Sequence, residues 1–237
     1  MISAALICHQ SSAFNRSRKL PTGKFVGCRN PRFDQGASAM KRLFPSLVLP
    51  CLILSFMNSV SAKTESLVLG GGCFWCTEAA YEIIPGVKNV VSGYAGGHVP
   101  NPTYQQICGK KTGHAEVIKI DFDPAVISLE KLLDFFWQVH NPVQVGGQGN
   151  DHGPQYRSII LYATPEQKAA AEKSRDAAAR KWNEPIAKEI VPLEKFWVAE
   201  QEHQDYFRLN PHAGYCAYVV APKVQKVQKI LAEEKAK

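Results

Sequence analysis

Cys73 stands directly behind three glycines, Gly70-Gly71-Gly72, and directly ahead of Phe74, Trp75 and a second thiol, Cys76. Glycines let the backbone turn tightly and come close to whatever the thiol acts on. Leu67-Val68-Leu69 before them reads as a short strand. Residues 77–84 have helical composition, with Pro85-Gly86 as the stop signal. Cys73 therefore falls at or just before a helix N-terminus. There the macrodipole and free N–H groups favour a thiolate and lower the thiol pKa. Phe74 and Trp75 supply an apolar wall. Cys76, three residues on, is near enough to close a disulfide with an oxidised Cys73. One segment thus offers a nucleophile, a pocket wall and a resolving thiol.

Other uses of such a segment have to be weighed. A buried cysteine is usually a small hydrophobe, but that leaves the glycines and paired aromatics without a reason to gather around it. Structural zinc at C-x-x-C needs a second ligand pair. Beyond Cys76, residues 63–237 hold only the isolated Cys108 and Cys216. A thiol-disulfide oxidoreductase working through Cys73 and Cys76 uses the same C-x-x-C at a helix start, and that alternative stays open.

A second reactive group is Glu116. Residues 114–122 alternate with period two, which puts Glu116, Ile118, Ile120 and Phe122 on one strand face and Val117, Lys119 and Asp121 on the other. Glu116 either reaches water at the strand end or lies in an apolar pocket. In the pocket, desolvation would raise its pKa and keep it protonated.

Around these residues the chain alternates strands and helices unevenly. Residues 87–94 and 155–162 read as strands, and residues 189–191 and 196–198 as short ones. Ser128 caps a helix with a Leu129, Leu132, Leu133, Phe136 stripe. Thr164-Pro165-Glu166-Gln167 opens another with a cap, a Pro at the first position and a capping-box Gln. Residues 202–209 and 219–237 read as helices. Residues 95–102 form a Gly/Pro loop. The glycine-rich stretch 143–154 is either mobile or packed against a site. The pattern gives an α+β fold, helices on a mixed, largely antiparallel sheet.

The amino-terminal segment reads as targeting sequence. Met40-Lys41-Arg42 opens a basic n-region, residues 43–57 are apolar but short for a membrane span, and Ser59-Val60-Ser61-Ala62 is a small-residue ending. Residues 40–62 are thus a signal peptide, with 1–39 an upstream extension outside the mature protein and 63–237 a single domain. The product is periplasmic or secreted; the Arg- and Ser-rich residues 1–39 would alternatively be an organellar transit peptide. The whole chain carries a net charge of +7. Residues 1–62 hold eight basic residues and one acid, so 63–237 are balanced at 20 of each. The basicity is a property of the leader and gives no support for nucleic-acid binding.

With these residues in place, the chain resembles the A-class peptide methionine sulfoxide reductases. The resemblance rests on Gly72-Cys73-Phe74-Trp75-Cys76-Thr77-Glu78, Asn101-Pro102-Thr103-Tyr104, Thr112-Gly113-His114-Ala115-Glu116, Gln148-Gly149-Asn150-Asp151, Gln155-Tyr156-Arg157-Ser158 and Tyr215-Cys216, in that order. It implies a two-layer α/β sandwich on a ferredoxin-like plan. It implies that Cys73 attacks the sulfoxide sulfur and that Phe74 and Trp75 line the pocket for the S-methyl group. Glu116, with Tyr104 and Tyr156, would bond and protonate the oxygen. Asp151 would hold the surrounding network. The product would be a sulfenic acid on Cys73, resolved to a disulfide by Cys216 or Cys76 and reopened by a thioredoxin-type reductant. The mobility expected of the segment around Cys216 favours it as first resolver. The substrates would be oxidised proteins and free methionine sulfoxide, in the S epimer. No metal or organic cofactor, nucleic acid or stable membrane association is implied, and the protein would act as a monomer. The chain departs from many members at His140-Asn141-Pro142-Val143-Gln144-Val145-Gly146-Gly147, where they carry a Thr/Arg-containing stretch.

The leader generates a first prediction. Protein secreted from a Met40 start should begin at Lys63 by intact-mass measurement. A mature product that keeps residues 43–57 would replace the signal peptide with an anchor.

Overall fold

The computed structural model describes residues 63–236 apart from 183, 187 and 188. The expected extension and signal peptide lie outside the described residues. In chain order the elements are β1 (Glu65–Gly71), α1 (Phe74–Glu82), β2 (Val87–Ala95), a short α2 (Tyr104–Cys108), β3 (Ala115–Phe122) and α3 (Leu129–Val139). A small ribbon, β4 (Gly147–Gln148) and β5 (Asp151–His152), comes next. Then follow β6 (Ser158–Tyr162), α4 (Pro165–Ala179), β7 (Glu189–Pro192), β8 (Phe196–Val198), α5 (Tyr206–Leu209) and α6 (Ala221–Lys235).

The main sheet runs β7-β6-β1-β3-β2-β8. Every pair is antiparallel except β6 with β7. Its central part follows the chain order β-α-β-β-α-β through β1, α1, β2, β3, α3 and β6. The expected class, α+β with a mixed, largely antiparallel sheet, holds. One sheet face carries Leu67, Leu69, Ile118, Ile120 and Phe122 into a core with Ala80 and Tyr81 of α1 and Leu132, Leu133 and Phe136 of α3. The other carries Val68, Val117, Ile159 and Leu161 under Val191, Leu193 and Phe196. The period-two pattern of β3 is thus realised, with a buried partner on each side.

Local chemistry sets the helix starts. Ser128 Oγ accepts from the Lys131 N–H at 3.2 Å and caps α3. Thr164 Oγ1 accepts from the Gln167 N–H at 3.3 Å and caps α4. The expected capping-box bond from Gln167 is replaced. Its side chain accepts from the Ala163 N–H at 2.8 Å and donates to the Ser66 carbonyl at 2.7 Å, which ties α4 to β1.

Three expected elements differ. The strand over 155–162 starts only at Ser158, because Pro154–Tyr156 form a 3-10 turn with Pro at its head. The helix over 202–209 is split into a 3-10 turn, Gln201–His203, and α5, with Asp205 between them at φ 55. The break follows from Gln204. Its side chain accepts from the Ser92 N–H and donates to the Ser92 and Ala199 carbonyls, all at 3.0 Å, so the chain is pinned to β2 there. The last helix is preceded by a π-helical segment, Cys216–Val220. The stretch 143–154 is neither a plain loop nor loose: it contains the β4–β5 ribbon.

Gly70 sits where β1 and β3 come closest. A Cβ there would stand 2.5 Å from the Glu116 carbonyl oxygen and 3.1 Å from side chains of Ile159 and Val117. Gly70→Ala should cost about 1–3 kcal/mol, the usual penalty for overpacking. A chemical-denaturation midpoint equal to that of the wild type would show that the strands relax freely there.

Candidate active site

The turn from β1 into α1 places the thiol. Gly72 adopts φ +105, and a side chain there would strike Gln148, whose Cγ is 2.7 Å from the Cβ position. Gln148 is held in turn by Asn141: its Oε1 accepts from the Asn141 N–H at 2.9 Å and its Nε2 donates to the Asn141 carbonyl at 3.0 Å. The glycine-rich ribbon is therefore packed on the turn that carries Cys73. Cys73 is the N-cap residue of α1, and its carbonyl accepts from the Cys76 N–H at 3.0 Å.

Glu116 reaches this turn from β3. The Phe74 N–H donates to Glu116 Oε2 at 3.1 Å. The carboxyl is buried, and burial raises its pKa well above the ordinary carboxyl range despite that hydrogen bond. Burial favours its neutral form, and the pocket alternative left open by the sequence is the one realised.

The thiols differ from expectation. The Cys73 pKa is raised well above the usual thiol value, first by burial, then by the hydrogen bond it shares with Cys76, then by the Glu116 carboxyl. The first N–H of α1, that of Phe74, is taken by Glu116, and the Cys73 side chain makes no capping hydrogen bond. Cys76 is lowered to about 7, chiefly by the hydrogen bond from Cys73 and then, against its burial, by the charge of Lys223 and the hydroxyl of Tyr215. The two thiols are thus shifted in opposite directions, Cys73 up and Cys76 down.

Asp151 closes the other side. Tyr215 donates its hydroxyl to Asp151 Oδ2 at 2.6 Å and lies 3.8 Å from Cys76 Sγ. Cys216, the next residue, is fully buried. Burial lifts its thiol to about 11, with Cys76 as its charged neighbour. Cys73 and Cys216 are thus both gathered around Cys76. Among the described residues no group of three His, Cys, Asp or Glu side chains is placed to hold a metal ion.

Tyr104 and Tyr156 converge on the same point. Burial raises both phenols, and the charges of Glu116, Cys73 and Asp151 act on each. Among the described residues the Tyr156 hydroxyl and the Trp75 indole N–H are buried with no hydrogen-bond partner. Phe74 lies among Tyr94, Tyr104 and His203, with ring centroids 5.9, 6.3 and 5.3 Å away. Trp75 stacks on Tyr206 at 3.7 Å, nearly parallel, with Tyr215 edge-on at 5.9 Å.

The structure thus brings Cys73, Phe74, Trp75, Cys76, Tyr104, Glu116, Asp151, Tyr156 and Cys216 into one buried cluster. It adds residues that sequence reasoning did not single out. Glu200 accepts from the Tyr104 N–H at 2.7 Å and from the Tyr94 hydroxyl at 2.8 Å, fixing both rings. His203 packs against Phe74, Trp75 and Tyr104, and burial lowers its pKa so that the ring is neutral. Only the crowding of polar and aromatic types from Glu200 to Tyr206 hinted at this. Arg157 donates to the Gly96 and Gly113 carbonyls and pairs with Glu189, so the residue after Tyr156 anchors two turns near the site.

Comparisons with known proteins agree with this geometry. The family model for Peptide methionine sulfoxide reductase matches residues 65–236. A peptide methionine sulfoxide reductase MsrA of Ralstonia nicotianae is 51% identical over 174 residues, covering 71% of this chain and 91% of that protein. One of Nautilia profundicola is 52% identical, covering 71% and 96%. Among solved structures, methionine sulfoxide reductase A of Corynebacterium diphtheriae superposes with a TM-score of 0.62 at 36% identity, covering 65% of this chain and 78% of that one. Reduced Mxr1 of Saccharomyces cerevisiae gives 0.63 at 34% identity, covering 66% and 91%. A chain matched by that family model over nearly all its described residues, and by relatives about half identical to it, belongs to the peptide methionine sulfoxide reductase family.

Proposed function

We propose that the protein reduces methionine S-sulfoxide, free or in oxidised proteins, to methionine. The observation that carries this reading is a buried thiol and a buried carboxyl drawn to one turn through the Phe74 N–H. A sulfoxide oxygen leaves poorly until it is protonated, and a buried neutral Glu116 is the acid for it. Cys73 sulfur attacks the sulfoxide sulfur. The oxygen passes to Cys73, which becomes a sulfenic acid as the substrate is reduced to methionine. The Tyr156 hydroxyl, buried without a partner among the described residues, donates a hydrogen bond to the arriving oxygen, which relieves its burial cost, and Tyr104 acts beside it. Phe74 and Trp75 supply the wall for the S-methyl group.

Resolution falls to Cys76 first. It shares a hydrogen bond with Cys73 and is the more readily ionised of the two partners on offer. A C-x-x-C loop also costs little to close. Cys216 then takes over the disulfide by exchange with Cys76, and a thioredoxin-type dithiol reopens it. This reverses the order that chain mobility alone favoured. Burial of both Cys73 and Cys76 weighs against direct exchange with protein disulfides. The signal peptide would place the enzyme in the periplasm or outside the cell.

Each role can be tested by substitution. Glu116→Gln should slow sulfenic-acid formation by about 10²–10⁴-fold, the usual worth of general acid catalysis. Single-turnover rates as fast as those of the wild type would make Glu116 structural. The same variant has a stability signature. Burial raises the folded-state pKa, so the wild type is destabilised as pH climbs past the unfolded value while the amide is not. Unfolding midpoints should therefore diverge in favour of the Glu116→Gln variant toward alkaline pH.

Cys73→Ser should abolish turnover with circular dichroism unchanged; a folded variant that still turns over would sink the assignment. One turnover of Cys216→Ser should yield a full equivalent of Cys73–Cys76 disulfide by peptide mapping. Loss of that disulfide in Cys216→Ser, with Cys76→Ser still closing Cys73–Cys216 at the wild-type rate, would restore Cys216 as first resolver.

A further inference from the structure

Lys223 lies in the first turn of α6, after Pro222, and α6 packs on α1. It is half-buried, and among the described residues it forms no salt bridge. Its ammonium reaches back to the turn that carries the nucleophile: Nζ is 3.9 Å from the Cβ position of Gly72, the residue before Cys73. The groups that face Cys76 come from five directions. They are Cys73 on its own turn, Glu116 of β3, Asp151 of β5, Tyr215 and Cys216 at the π segment, and Lys223 of α6. Among the described residues Lys223 is the one cation in this set. Hydrogen bonds from Cys73 and Tyr215 help a thiolate on Cys76, and the Asp151 charge opposes it. Lys223 alone supplies an opposite charge.

We infer that Lys223 is a positioning residue that keeps Cys76 ionised for its attack on the Cys73 sulfenic acid, an inference that rests on the sulfoxide-reductase reading above. In that step Cys76 sulfur forms the S–S bond and the Cys73 S–O bond breaks. Cys76 is oxidised, the sulfenic sulfur is reduced, and the oxygen leaves as water after taking a proton. The ammonium takes no part in bond making. It holds the thiolate form by charge, and the α6 backbone keeps it at the Gly72 turn.

This role has a kinetic signature that a packing role lacks. A one-unit rise from about 7 cuts the thiolate fraction at pH 7 about fivefold, and by about tenfold well below the pKa. A more basic thiolate is also a better nucleophile, by about threefold per unit at a Brønsted slope near 0.45. A Lys223→Met chain with Cys76 about one unit higher should therefore resolve about twofold more slowly at pH 7 and about threefold faster at alkaline pH. The two pH profiles should cross. Lys223→Arg should keep the wild-type profile.

The test uses the full-length chain without external reductant and with saturating methionine sulfoxide. Methionine release and disulfide formation are followed separately across pH, the latter by thiol loss and peptide mapping. Expected are unchanged methionine release in the first turnover, crossed profiles for Lys223→Met and rescue by Lys223→Arg. A Lys223→Met profile that coincides with the wild type overturns the inference. So does slowing by the same factor at every pH with Arg no better than Met. Absence of methionine release from the wild type would instead remove the underlying reading, and the inference with it.

Discussion

The site depends on a carboxyl group kept out of water. Glu116 is buried on the helix side of β3 and bonded to the first N–H of α1. Burial favours the neutral form. That bond also occupies the first N–H of α1, beside Cys73. The same burial raises the Cys73 thiol, so carboxyl and thiol are shifted together toward their uncharged forms. A charged Glu116 would stand beside Cys73 and Asp151 in a medium of low dielectric, where like charges repel strongly.

The rest of the fold serves to keep that point dry. Trp75 is covered by Tyr206 and edged by Tyr215, Phe74 is enclosed by three aromatic rings, and Glu200 fixes two tyrosines from behind. These contacts come from the segment after β8, which the Gln204 side chain pins to β2. The same segment leads into the π-helical turn that carries Cys216. Wall, Asp151 contact and third thiol therefore travel on one stretch of chain. A π-helical turn is a rare conformation found often at functional sites, and here it begins at Cys216, beside Tyr215.

Much of the frame was legible in the sequence because its signals are local. The β3 alternation, the Ser128 and Thr164 caps and the stop at Pro85-Gly86 each depend on residues a few positions apart. The resemblance motifs named the cysteines, Glu116, Tyr104, Tyr156 and Asp151, and these residues do converge. What misled was also local. Helical composition over 202–209 outweighed a long-range clamp, since the Gln204 bonds to Ser92 span 112 residues.

The sequence by itself determined which groups could react: a thiol after three glycines, a second thiol one turn on, and an acid on an apolar strand face. Only the tertiary structure decided their ionisation. A thiol at a helix start is acidic if its N–H groups are free and solvent is near. In the fold Cys73 is buried and the N–H is taken by Glu116, so Cys73 is raised while Cys76 is lowered. Their order follows first from burial and the hydrogen bond they share, and then from Lys223, Tyr215 and Asp151, residues 75 to 150 positions away. Charge and desolvation act through space, and no spacing along the chain records them.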